Sequence, residues 1–193
     1  MVNSGMFLRK NRPQSIQEAV WWEERCVRRQ GGYDLNMSNI PQSLRWLPKG
    51  VVYKFDASTG NAQVVKTCKV ITEAKSGATT LEVAPNHLLN VGDKLGEISI
   101  TAISHMTDRD TLTVSALTED IKANTVLSDL KDTDVVLGFG YETLDLLERE
   151  NTYQSVSPTL RVEEVYEETL PYFINDEIKD AINKYGYARF RIG

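Results

Sequence analysis

LPKGVVYKFDASTGNAQVVKTCKVITEAKSGATTLEVAPNHLLNVGDKLGEISITAI, residues 47–103, is the stretch that decides the fold. Pro48, Lys49 and Gly50 read as a turn. Val51 to Phe55 is rich in β-branched and aromatic residues and reads as a strand. Asp56 to Gly60 interrupts it with turn chemistry, because Asp and Ser bond back to the local backbone and Gly accepts positive φ. Further strand-like runs follow, separated by Ser76-Gly77 and Val91-Gly92-Asp93. Strands are expected near 51–55, 62–72, 79–84, 94–104, 111–117 and 134–139. Leu81 and Val83 alternate with Thr80 and Glu82, and Ile98, Ile100 and Ala102 with Ser99, Thr101 and Ile103. Such alternation buries one face and wets the other, the antiparallel habit. Short strands at close spacing with Gly, Asp and Ser between them predict a small antiparallel β-barrel or sandwich over 46–140.

Upstream, residues 1–14 lack periodicity and carry Arg9, Lys10 and Arg12, which predicts a flexible basic arm that needs a partner to order. Ser15 with Glu18 forms a capping-box pattern. Ile16, Ala19, Val20, Trp22, Cys26 and Val27 recur at spacings of three and four, predicting a helix from Ile16 to Gln30 that stops at Gly31-Gly32. Trp21 and Trp22 are adjacent and cannot share one narrow helix face. One is expected in the core; the other either lies flat on its own domain or marks a docking surface, where Trp is enriched. Residues 31–45 read as loop, so 1–45 form an arm-and-helix unit.

Downstream, 141–193 form an acidic strand–helix–strand segment expected to pack on the body. Leu160, Val162 and Val165 mark a strand over 159–166. Asn175 or Asp176 caps a helix to about Lys184, with Ile174, Ile178, Ala181 and Ile182 as its apolar stripe. Gly186 ends it, and Tyr187–Ile192 reads as a last strand. The overall class is mainly β with α, an α+β chain.

Charge is uneven. Residues 1–50 hold 8 Lys+Arg against 4 Asp+Glu, and 141–193 hold 6 against 11, within a net charge of −5. The uneven halves suggest two surfaces with different partners, or two solvated faces. Net acidity speaks against nucleic-acid binding, which needs a dense basic surface. Cys26 and Cys68 are too few for a disulfide framework or zinc site and read as small apolar residues. No apolar run is long enough to span a bilayer, and the N-terminus lacks the apolar core of a secretory signal. The expectation is a protein kept inside a cell or carried in a particle assembled there.

Catalytic patterns are missing: there is no GxSxG elbow, phosphate loop or HExxH helix. Glu163-Glu164 and Glu167-Glu168 read as solvated carboxylates. Gly138 and Gly140 read as a bulge or strand end. Asp108 and Asp110 have some calcium-loop composition but lack its Gly and bidentate Glu, so a tight turn is expected. His87 and His105 lack ligand-spaced neighbours and read as surface or loop-bridging residues. The reading is non-enzymatic, with no cofactor and no metal.

LPKGVVYKFDASTGNAQVVKTCKV resembles the opening of bacteriophage head-fibre and head-decoration proteins, with a leucine-proline-x-glycine turn between strands. LNVGDKLGEISITAIS resembles their VGD strand-turn, and LTEDIKANTVLSD the segment after it. LRVEEVYEETLPYFINDEIKDAI is similar to their C-terminal strand, leucine-proline and short helix. The likeness covers most of 44–184 and rests on the order and spacing of these motifs; the Trp-containing N-terminal segment lies outside it. It implies a structural protein of a tailed phage or prophage virion, assembled in the bacterial cytoplasm. Such a protein sits on the capsid surface as a homotrimer bound to the major capsid protein. Under it, Arg9, Lys10, Arg12, Trp21 and Trp22 are the expected capsid-attachment residues, and linked weak contacts supply affinity.

Three other readings stay open. A carbohydrate- or receptor-binding β module needs exposed aromatics, for which the body offers only Tyr53, Phe55, Phe139 and Tyr141, and those read more simply as core. A glycan hydrolase needs two opposed carboxylates. A tail or baseplate component of the same virion shares every feature named above.

Overall fold

The computed structural model of the protein describes residues 20–29, 32–146 and 154–191. The strands are β1 (Val27–Arg28), β2 (Tyr33–Asp34), β3 (Trp46–Leu47), β4 (Val52–Asp56), β5 (Asn61–Val64), β6 (Thr67–Lys69), β7 (Thr80–Val83) and β8 (Lys94–Leu95). They continue with β9 (Ile98–His105), β10 (Asp110–Val114), β11 (Val126–Ser128), β12 (Val135–Phe139), β13 (Leu144–Asp145), β14 (Ser155–Val156), β15 (Thr159–Tyr166) and β16 (Tyr187–Arg191). One helix, α1 (Asp176–Tyr185), lies between β15 and β16. The chain is mostly β with one helix among the described residues.

Residues 67–128 build a curled antiparallel half-barrel. Strands β7, β10, β9 and β8 pair in that order, and β11 pairs with β6. Backbone bonds from Ile71 N–H to Glu82 O and from Ala84 N–H to Lys69 O, both 2.8 Å, join β6 to β7. The sheet therefore runs β11-β6-β7-β10-β9-β8 and stops, with β11 and β8 as its two ends. Leu81, Val83, Leu112 and Val114 line its concave face with Cys68, Ile100, Leu117 and Ile121. Alternation of exposed and buried residues over β7 matches the expected period of two. In β9 it breaks. Thr113 opposes Ala102 but Val114 opposes Ile100, so Thr101 is an extra residue that returns Ile103 to the core side.

The rest of the described chain, on either side of this lobe, folds together. Strands β12, β4 and β5 form one antiparallel sheet; β1, β15 and β16 form another, in which β15 and β16 run parallel across α1. One core joins Val20, Trp21, Val52, Phe139, Val165, Ile178 and Ile182; a second joins Leu35, Leu47, Tyr53, Ala62, Leu137, Leu146 and Val156. The cores thus divide the chain differently from the expected 46–140 body. Residues 67–128 are an insertion, and residues 20–65 share their cores with residues beyond 130.

The two crossings of the chain between lobes are pinned by buried charge. Lys66 is 2% exposed, with Nζ 2.5 Å from Asp93 Oδ2, and its backbone N–H donates to Asp129 Oδ1 at 2.8 Å. Lys54 Nζ donates to Asp134 Oδ2 at 3.0 Å and lies 3.1 Å from Asp129 Oδ2. Burial raises the Asp129 pKa against the pull of Lys54. Removing one partner of such a pair costs about 3–5 kcal/mol, because the other charge stays buried alone.

The C-terminal segment follows its sequence closely. β15 spans 159–166, Asn175 Oδ1 accepts the Ile178 N–H at 3.0 Å, and Gly186 closes α1. Gly138 sits at a bulge, as expected: the β12–β4 register slips between Val136 and Gly138.

Candidate attachment surface

The helix expected over Ile16–Gln30 is not present in its described part. Val20 and Trp21 lie in a bend, Trp22 is extended, Glu23–Arg25 make a single 3-10 turn, and Val27–Arg28 form β1. Tyr166 N–H donates to Val20 O at 2.9 Å and Trp22 N–H to Glu163 O at 3.3 Å, so the segment lies along β15 as an added edge. Pairing with β15 outweighs the helical spacing of the apolar residues, which is only a local preference.

The extended backbone of Trp22 sends its side chain away from the side that Trp21 takes. Trp21 is 1% exposed, its ring 6.1 Å from Phe139 and 6.3 Å from Tyr141, with Lys49 Nζ 4.5 Å from its centre. Trp22 is 40% exposed and faces solvent with the Arg25 guanidinium 4.7 Å from its ring centre. One Trp of the pair is therefore core and one is surface. Trp21 cannot touch a partner without unfolding its own lobe.

Trp22 belongs to a larger arrangement on the outer face of the β1-β15-β16 sheet. Val27 lies opposite Arg161, and Arg161 opposite Tyr187. Arg25 Nη1 donates to Glu163 Oε2 at 3.0 Å and Arg161 Nη2 to Glu163 Oε1 at 2.5 Å. The Arg161 guanidinium is 5.4 Å from the centre of the Tyr187 ring. A chain of contacts Trp22–Arg25–Glu163–Arg161–Tyr187 crosses the sheet, with exposed Val27 beside it. The hydrogen bonds from Arg161 and Arg25 hold the Glu163 carboxyl below the usual range. Two rings thus lie beside guanidinium groups that ion pairs fix in place, which reduces the entropy lost when a partner covers them.

Behind this face, Arg29 fastens the sheet to the body. Its Nε donates to Leu137 O and its Nη2 to Tyr185 O, each at 2.6 Å; the second bond places a cation on the last turn of α1. Arg28 lies 3.5 Å from the Tyr141 ring centre and pairs with Glu142. Of the four aromatics expected for a glycan-binding face, Tyr53 is 1% exposed and Phe139 0%, and Phe55 and Tyr141 are half-buried. Arg9, Lys10 and Arg12 lie outside the described residues.

A second cluster has no counterpart in the sequence reading of His87 and His105. The β9–β10 register sets His105 opposite Asp110, and His105 Nδ1 is 2.9 Å from Asp110 Oδ2. His87, whose side chain is 4% exposed, comes from the loop after β7 and brings Nε2 to 3.1 Å of the same oxygen, off the line of a hydrogen bond. Its Nδ1 accepts the Leu89 N–H at 3.3 Å, so the neutral ring carries its proton on Nε2. His87 is therefore a buried loop-bridging residue, not a surface one. Sequence separation hid it: only the hairpin register brings 105 and 110 together, and only the loop brings 87. Both imidazoles address one carboxylate oxygen, and among the described residues no group of three His, Cys, Asp or Glu is placed to hold a metal ion.

The remaining acidic pairs are bridged. Glu164 faces Arg191 at 3.6 Å and Glu167 faces Lys179 at 2.8 Å. Among the described residues no helix is long and apolar enough to cross a membrane. No known protein family, no curated protein and no solved structure matches this chain.

Proposed function

We propose that this protein is a non-enzymatic structural component of a virion, attached to the capsid surface by the outer face of the β1-β15-β16 sheet. Trp22 is the anchor, Val27 and Tyr187 extend the contact, and the cationic residues Arg9, Lys10 and Arg12 add charge to it. The observation that carries the reading is Trp22, an exposed Trp held beside a locked ion-pair row while its neighbour Trp21 is core. Ordered aromatics next to Arg are the side chains that dominate protein–protein anchors. The capsid as partner, and the homotrimer as the attaching unit, come from the likeness of residues 44–184 to head-fibre and head-decoration proteins. The small antiparallel barrel or sandwich of that group is the finer description we propose for the half-barrel lobe.

Particles purified from a lysed host by density gradient and digested for mass spectrometry test the reading. The chain is expected at a fixed ratio to the major capsid protein. Its absence from particles while abundant in the lysate overturns the proposal.

A further inference from the structure

His87 stands where the two lobes meet. Its neighbour Leu88 belongs to the core of Leu47, Tyr53 and Leu137, and no other side chain of residues 67–128 is buried in a core outside the insertion. The next residue, Leu89, belongs to the half-barrel core with Leu81 and Leu112. The imidazole fixes this change of sides. Its Nδ1 accepts the Leu89 N–H at 3.3 Å, the bond to the second residue on by which an Asn side chain closes a turn. Further along the loop, Asp93 Oδ2 accepts the Asn90 N–H and meets Lys66 Nζ, both at 2.5 Å. Asp110 on β10 and His105 on β9 are the titratable groups that face the His87 ring. His87 Nε2 and His105 Nδ1 lie 3.1 and 2.9 Å from the same Asp110 oxygen, with the ring centres 6.2 Å apart. One carboxylate balances one imidazolium, so two charged rings leave a positive charge over at a buried site. The neutral ring turns its Nδ1 lone pair to the Leu89 N–H; a second proton goes on that nitrogen and sets two N–H groups against each other.

We infer that His87 is an acid-triggered latch between the lobes: when its ring takes up a proton, residues 87–89 shift, Leu88 leaves the core outside the insertion, and the half-barrel moves on its two chain crossings while each lobe stays folded. Imidazole is the side chain that changes charge between about pH 5 and 8, so the trigger is weak acid. The crossings hold through that change, because their pins are lysine–carboxylate pairs: Lys66 with Asp93, and Lys54 with Asp129 and Asp134. Burial raises the Asp129 pKa, so the folded chain binds that proton before the unfolded chain does, and acid favours the folded crossing rather than opening it. The Asp93 side of the loop keeps Lys66, and the His87 side lets go.

Amide hydrogen exchange on the full chain at pH 7.5 and pH 5.5, read residue by residue and corrected for the intrinsic effect of pH, tests it. Protection of the Leu89 amide is expected to fall at least about tenfold at pH 5.5, while β7 in the half-barrel and β15 outside it stay protected. Urea unfolding followed by Trp fluorescence, which reports only residues outside the insertion, and by far-UV circular dichroism should give one midpoint at pH 7.5 and two at pH 5.5. His87→Asn keeps an acceptor for the Leu89 N–H and gains no charge, so it should stay coupled at both pH values. His105→Gln changes an exposed side chain, removes the second cation and should move the response to lower pH. The inference is overturned if Leu89 protection is the same at both pH values, if β7 and β15 lose theirs together with it, or if the urea midpoints still coincide at pH 5.5. A folded His87→Asn that responds to pH as the native protein does also overturns it. Where His87→Asn fails to fold or is uncoupled throughout, His105→Gln decides, and an unmoved pH response in that variant overturns the latch.

Discussion

Leu88 and Leu89 are adjacent in the chain and belong to different cores: Leu88 packs with Leu47, Tyr53 and Leu137, and Leu89 with Leu81, Leu95 and Leu112. The loop between β7 and β8 is thereby a rivet between the inserted half-barrel and the rest of the protein. Leu88 is the one side chain of residues 67–128 that joins the other lobe's buried cores.

Leu88→Ala is expected to lower stability by about 2–4 kcal/mol, the usual loss for a buried leucine. It should also uncouple the lobes. All three Trp lie outside the inserted lobe, so Trp fluorescence reports the main lobe and far-UV circular dichroism reports both. In urea the two signals should coincide for the native protein and separate for Leu88→Ala. Coincident curves in the variant contradict the rivet.

His87 makes stability depend on pH. Burial lowers its pKa below the ordinary 6.5; the Asp110 charge opposes that and the neighbouring His105 reinforces it. A lowered folded value means the unfolded chain takes up the proton first. The stability tied to neutral His87 is whole above about pH 6.5 and is lost as pH falls toward the folded value. Protonation also removes the Nδ1 lone pair that accepts the Leu89 N–H. The urea midpoint is expected to fall between pH 7.5 and pH 5.5, and to fall less in His87→Gln.

Gly138 and Gly60 both have positive φ, +120° and +74°, but only Gly138 is crowded. A Cβ on Gly138 would stand 2.1 Å from Thr159 O, while one on Gly60 meets nothing within 4 Å. Gly138→Ala should cost well over about 2 kcal/mol, since the backbones of β12 and β15 must separate. Gly60→Ala should cost about 1 kcal/mol from φ alone. Thermal midpoints of the two variants compare them directly.

Both thiols are expected to react slowly. Burial pushes the Cys26 pKa to about 11 and the Cys68 pKa to about 12. At pH 8 almost no thiolate is present, so a thiol-specific disulfide reagent should react far more slowly than with free cysteine. The half-buried Cys26 should go first.

Much of the local structure is legible in the sequence and much of its assembly is not. The strand over 159–166, the Asn175 cap and the Gly186 stop follow from period and capping chemistry, which are local. The N-terminal helix is misread because Val20 and Val27, and Trp22 and Cys26, keep helical spacing while the edge of β15 claims the backbone of Val20, Trp22 and Val27. Ile103 is misplaced in β9 because a one-residue bulge inverts a period of two. The boundaries of the inserted lobe carry no local signal. Lys66 and Asp129 look like surface charges until the fold sets one beside the other. Of the candidate site, the adjacency of Trp21 and Trp22 makes legible that one Trp is left over, but the helical stripe puts Trp22 on the buried side and the structure puts Trp21 there. The ion-pair row beside Trp22 depends on contacts across more than a hundred residues.

The most direct test of the proposed attachment to a capsid is Trp22→Ala introduced into the chain at its native locus, with copies of this chain per purified particle counted by quantitative mass spectrometry. Trp22 supports no core, so the variant should fold with native circular dichroism. The account predicts at least about a tenfold drop in copies per particle, equivalent to the loss of an anchor residue. Unchanged copy number in a folded Trp22→Ala variant would contradict it.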